Sequence, residues 1–86
     1  MNRMGMQKAF HIQYYAAFRE ATGLAEETVR SAAATAADLY REVSLKHGIP
    51  YDLSILRVAL NEQVVPWSSA LNDGDTVVFL APFAGG

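Results

Sequence analysis

Few residues in this sequence of 86 have types and spacings that can do chemistry. There is no cysteine, which excludes a disulfide framework, a thiolate metal site and cysteine catalysis. His11 and His47 stand far apart, with no acidic cluster at ligand spacing, so no metal site is expected. His47 suits a helix C-terminus instead. The acidic pairs Glu26-Glu27 and Asp73/Asp75 read as solvated surface and turn residues, not as a general acid and base. No glycine-rich phosphate loop is present. No enzymatic catalytic residue is therefore expected. What remains is the last stretch, VVFLAPFAGG, from Val77 to Gly86. An apolar run is broken by Pro82, and the sequence halts on Gly85-Gly86.

Pro82 cannot donate to a sheet ladder and fixes its own φ, so strand pairing should end there and the chain should leave extended. The segment Pro82, Phe83, Ala84, Gly85, Gly86 spans at most about 17 Å, enough to enter a deep pocket on another protein. Gly85 and Gly86 lack Cβ atoms, so this end is as narrow as a polypeptide can be. Its carboxyl, with a reference pKa of roughly 3.5, is ionised at neutral pH and is a poor electrophile. Chemistry there requires activation, for instance as a mixed anhydride with a phosphate, followed by attack of a nucleophile. Nothing in the sequence performs that activation, so an enzyme acting in trans must. Two glycines alone fit an inert, disordered end better. The apolar run ahead of them favours a functional one.

Composition sets the frame for that segment. Hydrophobic residues make up 51% and charged residues 19%, ordinary for one soluble globular domain spanning 1–86, with residues 1–8 a loose leader and 82–86 an extended tail. A net charge of −2 argues against nucleic acid as a partner, and no Lys/Arg run points to a membrane surface. No stretch reaches the roughly 18 apolar residues of a membrane span. The start, MNRMGMQKAF, lacks the apolar core of a signal peptide, so a cytoplasmic location is expected.

Periodicity supplies the elements. AFHIQYY, Ala9 to Tyr15, reads as a strand; AAFREATG is a short helical turn closed by Gly23; EETVRSA, Glu26 to Ala32, is an exposed, charged strand. TAADLYREVSLKHG is the clearest helix, capped by Thr35 with Asp38 three residues on. Ala36, Leu39, Tyr40 and Val43 form its apolar face, and Gly48 and Pro50 stop it. ILRVALN is a strand with Leu56, Val58 and Leu60 on one face; NEQ turns, VVP pairs briefly, Asp73-Gly74 turns again, and TVVFLA is the last strand. The result is an α+β chain with a mixed four- to five-stranded sheet and one main helix on one face, a pattern that the β-grasp, ubiquitin-like architecture shares with other small folds. One helix covers one face. In the last strand Val77, Phe79 and Ala81 point one way, Val78 and Leu80 the other, and both sets are apolar. Either another part of the fold covers Val78 and Leu80, or they form a patch for a partner. Arg19 meets an acidic group on a partner or solvates its turn. Trp67 is an interface aromatic or, more commonly, a lid on the edge of the core.

The segment VALNEQVVPWSSALNDGDTVVFLAPFAGG, with its DGD turn at Asp73 to Asp75, apolar strand, Pro82 and Gly85-Gly86, resembles the MoaD/ThiS sulfur-carrier family, most closely the molybdopterin synthase small subunits. YYAAFREATG, including Arg19, is similar to the first strand and turn of those subunits. The resemblance implies a non-catalytic carrier with no cofactor of its own. An ATP-dependent, E1-like adenylyltransferase would adenylate Gly86, and sulfur would replace AMP to give a thiocarboxylate. The tail residues Pro82, Phe83, Ala84 and Gly85 would enter the large catalytic subunit of a heterotetramer. There the sulfur would pass to a cyclic pterin precursor of the molybdenum cofactor. Val78, Leu80 and Arg19 are candidates for the interface. The commonest family ending has two prolines before a small apolar residue; Ala81 and Phe83 stand at the first proline and the small position. Phe83 is either an anchor on the large subunit or a ring folded back on Leu80. Other readings are a carrier for thiamine thiazole or tRNA thiolation, a ubiquitin-like modifier joined to lysine through Gly86, and an interaction domain with an inert tail.

Overall fold

In the computed structural model, which describes residues 7–82, the elements are β1 (Lys8–Gln13), α1 (Ala16–Thr22), β2 (Glu26–Ser31), α2 (Ala36–His47), β3 (Arg57–Leu60), β4 (Gln63–Val65) and β5 (Thr76–Leu80). Most of the expected leader, and Phe83, Ala84, Gly85 and Gly86 of the expected tail, lie outside the described residues. The strands form one sheet in the order β2-β1-β5-β3-β4. β5 enters its middle, parallel to β1 and antiparallel to β3. The sheet is thus mixed and five-stranded, as the patterning predicts. Among the described residues no helix is long and apolar enough to cross a membrane.

α2 forms where its local signals agree. Thr35 is extended (φ −128°, ψ 163°), and its hydroxyl accepts the Asp38 amide, capping an otherwise orphan N–H. Gly48 closes the helix at φ 67°, a left-handed conformation that costs a residue with a Cβ. The four expected apolar positions, Ala36, Leu39, Tyr40 and Val43, are all buried. They meet Phe10 and Ile12 of β1, Val58 and Leu60 of β3, and Val77 and Phe79 of β5. Each fully buried side chain of this kind stabilises the fold by about 1.5–3 kcal/mol relative to exposure. Phe18 of α1 packs against Phe79, Tyr40 and Tyr51, so both helices cover the same face of the sheet. Trp67 stacks on Phe79 with ring centroids 6.1 Å apart and donates Nε1–H to the Leu56 carbonyl. It closes the edge of the core.

Two local differences from the sequence reading have clear causes. The strand expected from Ile55 begins at Arg57, because Asp52 accepts the Ser54 amide and winds Leu53–Ile55 into a short 3-10 turn. The segment after β1 is a full helix of 7 residues, pinned by burial of Phe18.

The DGD motif holds the strand ends together. Gly74, at φ 89°, donates to the Ala9 carbonyl, and Asp73 Oδ1 accepts the Ala9 amide at 2.8 Å. Asp75 is buried, not solvated as the sequence suggests. Its carboxylate accepts the Asn72 amide and the Asn61 side chain. Asn61 also accepts the Thr76 amide. Asn61 and Glu62 (φ 51° and 74°) form the two-residue turn between β3 and β4, the left-handed pair that matches strand twist. One carboxylate thereby fixes that turn against the start of β5.

Candidate functional site

The central strand β5 carries both faces of the problem. Val77 and Phe79 are fully buried under the helices, and Ala81 packs against that core. Val78 and Leu80 point to the face that no helix covers. Register sets Gln13 beside Val78, Val78 beside Ala59 and Ala59 beside Val64, with Arg57 beside Leu80. Leu80 is 36% exposed and Val64 61%, while Ala59 lies shielded between its neighbours. An apolar strip therefore crosses β5, β3 and β4 on the open face, bordered by Gln13, Thr76 and Arg57. Beside it an open groove of about 340 Å³ is lined by Gln13, Asn61, Glu62, Thr76 and Val78. Of the two possibilities left open by the sequence, no loop among the described residues covers Val78 and Leu80.

Pairing of β5 ends at Leu80, and Pro82 is exposed. The open strip thus runs along the strand from which the last segment departs. Arg19 is exposed on α1, on the helix-covered side of the sheet. The structure brings Val78 and Leu80 together and keeps Arg19 apart from them.

A densely connected cluster of titratable groups lies elsewhere and was not legible in the sequence. Glu27, expected on the solvated surface, is wedged between β1 and α2. Its carboxylate accepts from Tyr14 Oη at 2.5 Å and Lys46 Nζ at 3.2 Å, and lies 2.6 Å from His47 Nε2. Burial alone would raise the Glu27 carboxyl, but hydrogen bonds from Tyr14, His47 and Lys46 outweigh it and hold it below its ordinary value of 4.5. Burial, followed by the bond to Glu27, pushes the Tyr14 phenol well above its usual range. The cluster ties β2 to the last turn of α2. A depressed carboxyl stabilises the fold above its unfolded-chain value and loses that contribution as pH falls through the lower folded value. Glu27→Gln should therefore lower the melting temperature at neutral pH and flatten its fall below pH 4.5, read by circular dichroism across a pH series. His11 meets Glu26 at 2.8 Å on the open face, an exposed pair.

Comparisons with known proteins agree with this geometry. Comparison with curated proteins gives no match. Among solved structures, the chain is similar to the putative molybdopterin converting factor subunit 1 from Pyrococcus furiosus, with 28% identity and a TM-score of 0.71 over 84% of this chain and 94% of that one. It is similar in fold to the small archaeal modifier protein SAMP1 from Haloferax volcanii, at 22% identity and a TM-score of 0.70, covering 91% of this chain and 99% of that one. A complex of subunits 1 and 2 of molybdopterin-converting factor from Helicobacter pylori also matches, at 23% identity and a TM-score of 0.59, covering 91% and 99%. The model of the ThiS family matches residues 12–86, which takes in the end of β1, the other four strands, both helices and the diglycine, and the chain belongs to this family of small sulfur-carrier, ubiquitin-like proteins.

Proposed function

We propose that this protein is the sulfur-carrying small subunit of a molybdopterin synthase, with the acyl end of Gly86 as the carrier atom's anchor. The observation that carries the reading is the continuity of parts. A diglycine inside the family match follows, within a few residues, a central strand whose open face presents Val78 and Leu80. The Pyrococcus neighbour, titled a molybdopterin converting factor subunit 1, favours that branch of the family. The Helicobacter complex, titled as subunits 1 and 2 of that factor, supports a large-subunit partner.

In this reading a carboxylate oxygen of Gly86 attacks the α-phosphorus of ATP in an E1-like adenylyltransferase, and pyrophosphate leaves. A sulfide-level nucleophile then attacks the acyl carbon, AMP leaves, and a thiocarboxylate results. ATP belongs to the activating enzyme, and this chain holds no cofactor. Pro82, Phe83, Ala84 and Gly85 deliver the anionic sulfur into the large subunit. The chain's own contribution is positioning: a rigid β5, fixed at its start by Asp75 and Asn61, aims the segment beyond Leu80.

The test is intact mass spectrometry of the full chain after incubation with ATP, the activating enzyme and a sulfur donor. A gain of about sixteen mass units, one oxygen exchanged for sulfur at the acyl carbon, is expected. Covalent conjugates to lysines of other proteins, with no such gain, would favour the modifier reading suggested by the SAMP1 neighbour. A second measurement tests the open face. Leu80→Asp should weaken binding to the large subunit about 10- to 100-fold by calorimetry, because a charge would be desolvated at an apolar contact. Arg19→Ala, on the other side of the sheet, should change it by less than about threefold.

A further inference from the structure

We infer that the free edge of β2 pairs with the same edge of a second copy of this chain, joining two sheets across a twofold axis at Thr28. β2 is the terminal strand on its side of the sheet. The amide of Tyr14 donates to the Ala25 carbonyl at 2.8 Å, and the β1–β2 register runs from Lys8↔Ser31 to Gln13↔Glu26. In an antiparallel ladder, residues whose N–H and C=O both face the neighbour alternate with residues whose groups both face away. Counting by twos from Ala25, Glu27, Val29 and Ser31 bond to β1. Glu26, Thr28 and Arg30 turn their backbone groups to the open edge. The side chains of these three are exposed and share the open face of the sheet.

A second β2 must meet these same three residues, so the possible registers differ by slips of two residues. With Thr28 opposite Thr28, each Glu26 stands opposite Arg30 of the other copy. All three pairs then exchange backbone hydrogen bonds, and the flanking pairs join opposite charges. Slipping either way sets Glu26 or Arg30 opposite Thr28 and loses both ion pairs. Edges are commonly blunted by charged side chains, prolines or bulges. This one carries opposite charges placed to complement themselves under twofold symmetry. Among the described residues Arg30 has no ion-pair partner, and Glu26, though beside His11, keeps 60% of its side chain exposed. The opposite edge, β4, offers only 3 residues before Pro66. β1 separates β2 from β5, which places Val78 about 10 Å from the paired edge. The dimer therefore leaves the apolar strip and the segment beyond it accessible on both copies.

Sedimentation equilibrium of the full chain, carried to millimolar concentration, is expected to show a monomer–dimer equilibrium. Arg30→Glu alone and Glu26→Arg alone should each weaken the dimer about tenfold or more, since each replaces two attractive pairs with two repulsive ones. The double variant Glu26→Arg/Arg30→Glu, self-complementary again, should regain most of the lost affinity. Thr28→Pro removes an amide that faces the open edge, so it should abolish dimerisation while the monomer keeps its circular dichroism spectrum. Wild-type protein that stays monomeric at millimolar concentration overturns the inference and leaves the edge to a strand from a different protein. A dimer that survives Thr28→Pro, or a double variant without recovery, overturns it by placing the contact elsewhere.

Discussion

A chain lacking Gly86 is expected to remain folded and to lose sulfur loading by at least about a thousandfold. Deleting one residue moves the acyl carbon back by roughly 3.5 Å along an extended chain. A misplacement of only about 1 Å can cost on the order of 100-fold where two reacting groups must meet. The shortened chain ends in the Gly85 carboxylate, which falls short of the α-phosphorus in an active site shaped for the longer chain. The described core runs from Phe10 to Phe79, so an unchanged melting temperature is expected and separates loss of chemistry from loss of fold. Loading is read as the mass gain of the intact protein after incubation with ATP, activating enzyme and sulfur donor. Gly86→Ala keeps the length and adds one Cβ, and should fall between the two. Wild-type loading of the shortened chain would remove Gly86 from the chemistry altogether.

Phe79→Ala carries the largest expected effect on stability. The Phe79 ring is 1% exposed and lies within 5.0–6.1 Å, centroid to centroid, of Tyr40, Phe18 and Trp67. Truncation of a buried Phe costs about 3–5 kcal/mol, because the cavity left behind closes only in part. A domain of this length holds in total about 4–13 kcal/mol, so much of the population should unfold near physiological temperature. Urea titration followed by fluorescence of Trp67, the one tryptophan, reads the change directly, since that indole stacks on the deleted ring. Phe79→Leu keeps most of the volume and should cost less than half as much. A small shift for the alanine variant would mean that Trp67 and Tyr40 collapse into the space.

The same residue shows how one strand can serve two ends. Phe79 anchors β5 into the core, and its neighbours Val78 and Leu80 are held on the open face by that anchoring. Loss of Phe79 should therefore blunt binding of the proposed partner even though the ring itself is buried. Leu80→Asp should do so with the fold intact. The two variants separate stability from recognition.

Local signals in the sequence determined most of the elements. The Thr35 cap, the Gly23 and Gly48 ends, the buried positions of α2, the alternation of β5, and the end of pairing before Pro82 all depend on neighbours within about four residues. The motif of DGD, apolar strand and diglycine likewise determined the family. Tertiary structure alone decided what Glu27 and Asp75 are for. Each is an acidic residue in a polar-looking stretch, and its burial depends on partners far along the chain: Tyr14 and His47 for one, Asn61 for the other. It also decided that Arg19 stands on the covered side, away from Val78 and Leu80, because packing of Phe18 orients α1. The open strip needed the strand order as well, since only the insertion of β5 between β1 and β3 sets Val78 beside Ala59. A residue's own type and spacing select its local conformation, while burial and adjacency are properties of pairs that the chain brings together only on folding.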